Sequence, residues 1–230
     1  MKVSDVISRA RTLLNDTDSA NYRWSNAEMI DAINDAQKLI AVHRPDSCVT
    51  DTDLTLVNGV TQTLPAFGFR LMDVICNVSS VDNSEGRAIT MIDRRELDTY
   101  SPNWRSGTKA SVIENFMYDP RNPLKYEVYP PALAGSKVRA TFSKNPVLVN
   151  DVNDDLTVTD VYFEHVLMFT MFRAYSKDME FSGNAQLAAG YISLFNGLLG
   201  IKTNKDNAFA PAVNRKGAPP NVAAIQMGGV

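Results

Sequence analysis

An α+β fold is predicted: a four-helix bundle with an inserted antiparallel β domain and an extended C-terminal arm. Three observations lead there. Apolar residues recur at helical spacing near the start of the chain and again between Val161 and Leu199. Between these regions, from Thr50 to Phe142, short segments alternate with period two and are separated by Pro-, Gly- and Asn-rich turns. After Gly200 the periodicity fades, while Pro and Gly become frequent. The expected divisions are residues 1–47 for the first half of the bundle, 48–156 for the β domain, 157–203 for the second half and 204–230 for the arm.

The first helix is predicted from Val3, Val6, Ile7, Ala10, Leu13 and Leu14, with Asp5, Ser8, Arg9 and Arg11 filling the wet side. The polar run 15–21 ends it. Ser25 and Glu28 then have capping-box spacing, and Trp24 and Met29 occupy hydrophobic-staple positions, so a second helix begins here. Its stripe is Met29, Ile33, Ala36 and Ile40, with Gln37 marking the polar edge, and Pro45 requires a stop near Arg44. From Leu54 the period changes. Asn58-Gly59 is the dipeptide of a tight hairpin turn, predicting that the strand through Leu54 and Leu56 pairs with Val60–Leu64. Longer and shorter strands follow over 66–79 and 88–92, then helical turns over 93–98, a loop carrying Trp104, and strands over 111–118, 125–129 and 137–142. The last pair of helices forms a hairpin. Its first arm, 160–178, is apolar on nearly every side, as in a helix surrounded by protein. Its second arm places Ala188, Tyr191, Ile192, Phe195, Leu198 and Leu199 on one side, facing the first. The tail after Gly200 lacks the apolar area to offset backbone ordering and is expected to be extended when alone.

Of 230 residues, 44% are hydrophobic and 21% charged, enough for a real core and too apolar for global disorder. No apolar run reaches the ~20 residues needed to span a bilayer, and the opening MKVSDVISRARTLLND has no long apolar stretch, so folding in cytoplasm is expected. Net charge of -3 with interspersed signs gives no general attraction to nucleic acid. Cys48 and Cys76 have no metal or redox spacing and are expected to be reduced.

No residue spacing in the chain marks a catalytic site. His43 and His165 lack partners at metal-ligand separation, and His165 reads as a core residue. Asp151, Asn153 and Asp155 open like a calcium loop, but Leu156 and Tyr162 stand where glycine and a bidentate glutamate are required. Arg94-Arg95-Glu96 reads as a solvated helix face, and Tyr100, Trp104 and Arg105, although able to stack on bases, more commonly pack on their own domain. No nucleotide loop, nucleophile elbow or zinc helix motif is present, so neither enzyme activity nor a cofactor or metal is expected.

The string FRAYSKDMEFSGNAQLAAGYISLFNGLLG resembles the C-terminal helical hairpin of tailed-phage head-to-tail adaptor (connector) proteins. WSNAEMIDAINDAQKLI is similar to their second helix, LPAFGFRLMDVICNVS to their first long strand, GRAITMIDRRELDTYSPNW to their mid-domain segment and DPRNPLKYEVYPP to a later hairpin, in the same order. The resemblance implies a homo-oligomeric ring, usually a dodecamer, docked under the portal protein and presenting a platform to the distal tail (nozzle or tube) protein. It implies a virion location, no membrane contact, and DNA only in transit through the channel. It further implies a C-terminal arm reaching along the portal, with Lys205, Phe209, Arg215, Lys216, Pro219 and Pro220 as candidate contacts. Two rival readings are a metal-dependent nuclease using the carboxylates of 151–155 and a nucleic-acid-binding phage protein acting through the basic tail.

Overall fold

In the computed structural model, residues 1–177 and 182–209 are described. The helices are α1 (Val3–Leu14), α2 (Asn26–His43), α3 (Arg94–Tyr100), α4 (Phe163–Ser176) and α5 (Ser182–Phe209). The strands are β1 (Val49–Thr55), β2 (Gly59–Thr63), β3 (Gly68–Val78), β4 (Glu85–Ala88), β5 (Thr90–Met91), β6 (Asn115–Tyr118), β7 (Lys125–Ala132) and β8 (Lys137–Lys144). Local chemistry sets several boundaries. α1 stops where Asn15 turns left-handed at φ 53° and its N–H reaches back to the Arg11 and Thr12 carbonyls. α2 starts with a reciprocal cap: the Glu28 N–H donates to Ser25 Oγ at 3.3 Å, and the Ser25 N–H donates to Glu28 Oε2 at 2.9 Å.

Two cores result. In the first, α4 is central: Val166, Leu167, Phe169 and Met171 are buried against Val3, Val6 and Ala10 of α1, Ile33, Ala36 and Ile40 of α2, and Phe195 and Leu199 of α5. The second lies between two four-stranded sheets of order β1-β8-β3-β4 and β2-β7-β6-β5. Leu54, Leu71, Val74, Val138, Ala140 and Phe142 line it from the first sheet, and Phe116, Tyr126 and Val128 from the second. A small third cluster, Leu97, Trp104 and Met117, covers the outer face of the second sheet with α3 and the loop after it.

The α+β class stands, but the architecture is five helices with two four-stranded sheets, not a four-helix bundle with an inserted β domain. In a bundle each helix would share one core with two neighbours. Here α1, α2 and α5 are arrayed on α4, and among the described residues α5 packs principally on α4, with Leu187, Leu194 and Ile201 exposed. The place beside α1 and α2 is taken by the irregular segment 145–158, whose Val149, Leu156 and Val158 enter the helical core. Three further expectations are corrected. Asn58-Gly59 does not close a hairpin: Gly59 has φ 112°, yet β1 pairs with β8 and β2 with β7, so the turn carries the chain from one sheet to the other. The β unit is not wholly antiparallel, since β5 and β6 run parallel. Nor does Gly200 release the chain into an extended arm, because α5 continues through it to Phe209.

Candidate adaptor surfaces

An adaptor, or any protein transmitting a contact from one end to the other, needs a stiff middle. Here two buried amides on α2 provide it. Asn34 Nδ2 donates to the Val149 carbonyl at 2.9 Å, and the Val149 N–H donates back to Asn34 Oδ1 at 3.0 Å. Three residues on, almost one turn along α2, Gln37 Oε1 accepts the Thr157 N–H at 2.8 Å. The start of α1 joins the same segment through Ser4 N–H to the Val152 carbonyl at 2.8 Å and Val3 N–H to the Asp154 carbonyl at 3.1 Å. The chain leaving β8 is thereby tied to both first helices.

The helical part and the β part each carry a groove. At the N-terminal end of α2, Trp24, Met29, Ala32, Thr170 and Ala174 line a cleft of about 180 Å³ between α2 and α4, with the Lys177–Glu28 pair at 2.6 Å and the Arg173–Asp35 pair at its rim. Its floor is rigid. The Trp24 indole donates to the Ala174 carbonyl at 3.1 Å, and buried Arg11 bonds Asp16 at 2.6 Å, the Trp24 carbonyl at 2.9 Å and Asn26 at 2.8 Å. The larger groove, about 460 Å³, lies where the outermost strands β1 and β2 of the two sheets come side by side; Leu54, Val57, Pro65, Phe67 and Tyr126 supply its apolar lining. Neither groove holds the clustered nucleophiles, bases or carboxylates of a catalytic site.

α5 lies against α4. Tyr191 stacks on Tyr175 at 5.6 Å between ring centroids, and Phe195 packs on Phe169 at 5.3 Å, fixing which side meets α4. His165 is buried in this seam with its ring 5.2 Å from that of Tyr162; burial pushes its pKa below the ordinary value of 6.5 and keeps the imidazole neutral.

The residues nominated from sequence fall unevenly. Lys205 and Phe209 lie in the last turns of α5, whereas Arg215, Lys216, Pro219 and Pro220 lie outside the described residues. In the acidic loop, Asp151 Oδ1 accepts the Asn153 N–H and Asp154 Oδ2 accepts the N–H groups of Asn150 and Asp151, so these carboxylates serve as turn caps. Trp104 is 2% exposed, and its indole donates to Asp98 at 2.8 Å; Tyr100, by contrast, is 87% exposed. Arg105 is engaged with Glu127 at 2.7 Å rather than free to meet a ligand. The β1/β2 groove had no sequence signal, because the expected hairpin would have placed those strands edge to edge.

Comparison with protein families decides among these readings. The model of the SU10 adaptor protein family matches residues 1–215. The chain belongs to the SU10 adaptor family. This is a family of structural phage adaptors, which implies a virion location and contacts with other head and tail proteins. No curated protein matches the chain. Among the described residues of this adaptor, no helix is long and apolar enough to cross a membrane.

Proposed function

We propose that this adaptor forms a ring, of twelve copies, that docks on the portal and joins the capsid to the tail. The observation that carries the reading is the family match over residues 1–215. Two separate grooves, one in the helical part and one in the β part, with the Asn34 and Gln37 latches tying segment 145–158 to α2, suit a part that must hold two partners. In this reading the helical part and the C-terminal residues, Lys205 and Phe209 in the last turns of α5 and Arg215, Lys216, Pro219 and Pro220 after it, engage the portal, and the β part faces neighbouring copies or the distal tail protein. The divisions at residues 47, 156 and 203 would then separate partner surfaces. Twelve equivalent sites convert a weak single contact into a stable ring by multivalency.

The test mixes purified protein with isolated portal rings and images the product by electron microscopy. A closed ring of density on one face of the portal is expected, and bare portals at saturating protein refute the proposal. A chain ending at Lys205 should dock at least tenfold more weakly while keeping the thermal melt of the full chain. Equal docking would remove the C-terminal residues from the interface.

A further inference from the structure

The outer side of α5 carries a second apolar row that no contact within the described residues explains. Leu187, Leu194 and Ile201 are 46%, 55% and 55% exposed and recur every seven residues. Gly183, Gly190 and Gly197 interleave with them at the same repeat, giving the alternating four-and-three spacing of a helix seam. The row lies roughly opposite Ala188, Phe195 and Leu199, which are buried toward α4. Glycine weakens a helix interior through its backbone freedom, and a Cβ added at any of the three would meet nothing within 4 Å. The notches therefore have no use among the described residues. From Ser182 to Ile201 no residue is charged, the composition of an interface centre rather than a solvated face.

The spacing also says what fits. In an antiparallel helix pair each large position meets the small position of the other helix when their residue numbers have a constant sum. Leu187 with Gly197, Leu194 with Gly190, and Ile201 with Gly183 all share one sum, so a second α5 turned about Ile192 sets every aliphatic knob into a glycine notch. A parallel copy would oppose leucine to leucine and leave glycine facing glycine. We propose that two free copies of this protein pair antiparallel through Leu187, Leu194, Ile201 and the three intervening glycines. The seam runs about 27 Å at ~1.5 Å per residue and, with a helix ~10–12 Å across, covers roughly 300 Å² on each copy. That is about half of the ~1,200 Å² total of a stable complex, so the pair is weak and reversible, with a dissociation constant on the order of 100 μM. It goes beyond the portal-docking reading and does not depend on it.

Sedimentation equilibrium of the full chain from about 10 μM to 1 mM tests the pairing. The average mass should rise from the 25.4 kDa of one chain toward twice that value. Gly190→Glu and Leu194→Ser should each abolish the rise and leave the thermal melt within a few degrees of the parent, because both positions face open space. Orientation is read by a short bis-maleimide: Ser193→Cys, beside the two-fold axis, should link to itself at least tenfold faster than Gln186→Cys, which lies far from its own mate. Background is low because Cys48 and Cys76 are buried. A constant monomer mass, as expected if residues 210–230 or another protein covers the seam, overturns the proposal. Equal linking by the two cysteine variants does so too, as does undiminished pairing by Gly190→Glu or Leu194→Ser.

Discussion

Replacing Asn34 by alanine removes both hydrogen bonds that hold the exit of β8 to α2. Val149 is 3% exposed, so its N–H and carbonyl cannot simply turn to water. Each buried backbone group left unpaired costs about 1–3 kcal/mol, partly relieved if solvent enters the small space vacated. Alanine returns roughly 0.5 kcal/mol through its higher helix propensity. The net loss is therefore about 2–3 kcal/mol, which at a urea m-value of ~2–3 kcal/mol/M moves the unfolding midpoint down by about 1 M. Asp35→Ala, which removes only the solvent-exposed pair with Arg173, should stay within ~1 kcal/mol of the parent. Urea titration followed by circular dichroism measures the midpoint, and hydrogen exchange at the Val149 amide reports the latch itself. A midpoint within about 0.2 M of the parent, with Val149 protection unchanged, would mean that segment 145–158 is held by its apolar residues alone.

Two further predictions address α4 and α5. Gly200→Ala should stabilise the protein by about 0.5–1 kcal/mol, since Gly200 lies inside α5 and its added Cβ meets nothing; if the chain instead left the helix here in a left-handed turn, alanine would destabilise it, and a thermal melt gives the sign. Burial lowers the pKa of His165 in the folded state below its ordinary 6.5, so on acidification the unfolded chain takes up the proton first. Stability should be fully present above pH ~6.5 and fall as pH drops below it. His165→Phe should flatten that slope in urea titrations between about pH 7.5 and pH 5.5, and an unchanged slope would assign the acid sensitivity to other groups.

How much of this was legible depends on whether the deciding partner is near in sequence. The Ser25–Glu28 cap reads directly because both its donors and acceptors lie within one helical turn. Asn58-Gly59 has the composition of a hairpin turn, and Gly59 does take a positive φ, but turn chemistry does not choose a strand's partner. β1 and β2 are claimed by β8 and β7, which arrive some sixty to ninety residues later. Gln37 looked like the polar margin of a stripe and is instead fully buried, because an acceptor was needed for the Thr157 N–H. Gly200 misled for the opposite reason. A lone glycine after an apolar run signals a helix end, whereas Gly200 is one of four glycines, from Gly183 to Gly200, that all lie within α5. The exposed Leu187, Leu194 and Ile201 were in view throughout, but only the contacts of Phe195 and Tyr191 reveal that they lie on the outer side.

The crossings between sheets bear on how the chain is made. The chain crosses between the sheets after β1, β2, β4 and β7, and the first and last of these crossings are tied by Leu56 N–H to the Ser136 carbonyl at 2.8 Å and Gly135 N–H to the Leu56 carbonyl at 3.1 Å. Because β8 lies between β1 and β3, the first sheet has no centre until residue 144 has emerged from the ribosome. α1 and α2, synthesised first, wait longer still, since the helix at the middle of their core begins at Phe163. Both cores are closed by the later half of the chain, a high-contact-order arrangement in which folding is slow and follows synthesis. Nascent chains stopped before β8 should thus remain open to proteases, and the host's chaperones meet this protein as a long unfolded polypeptide rather than as a series of finished parts.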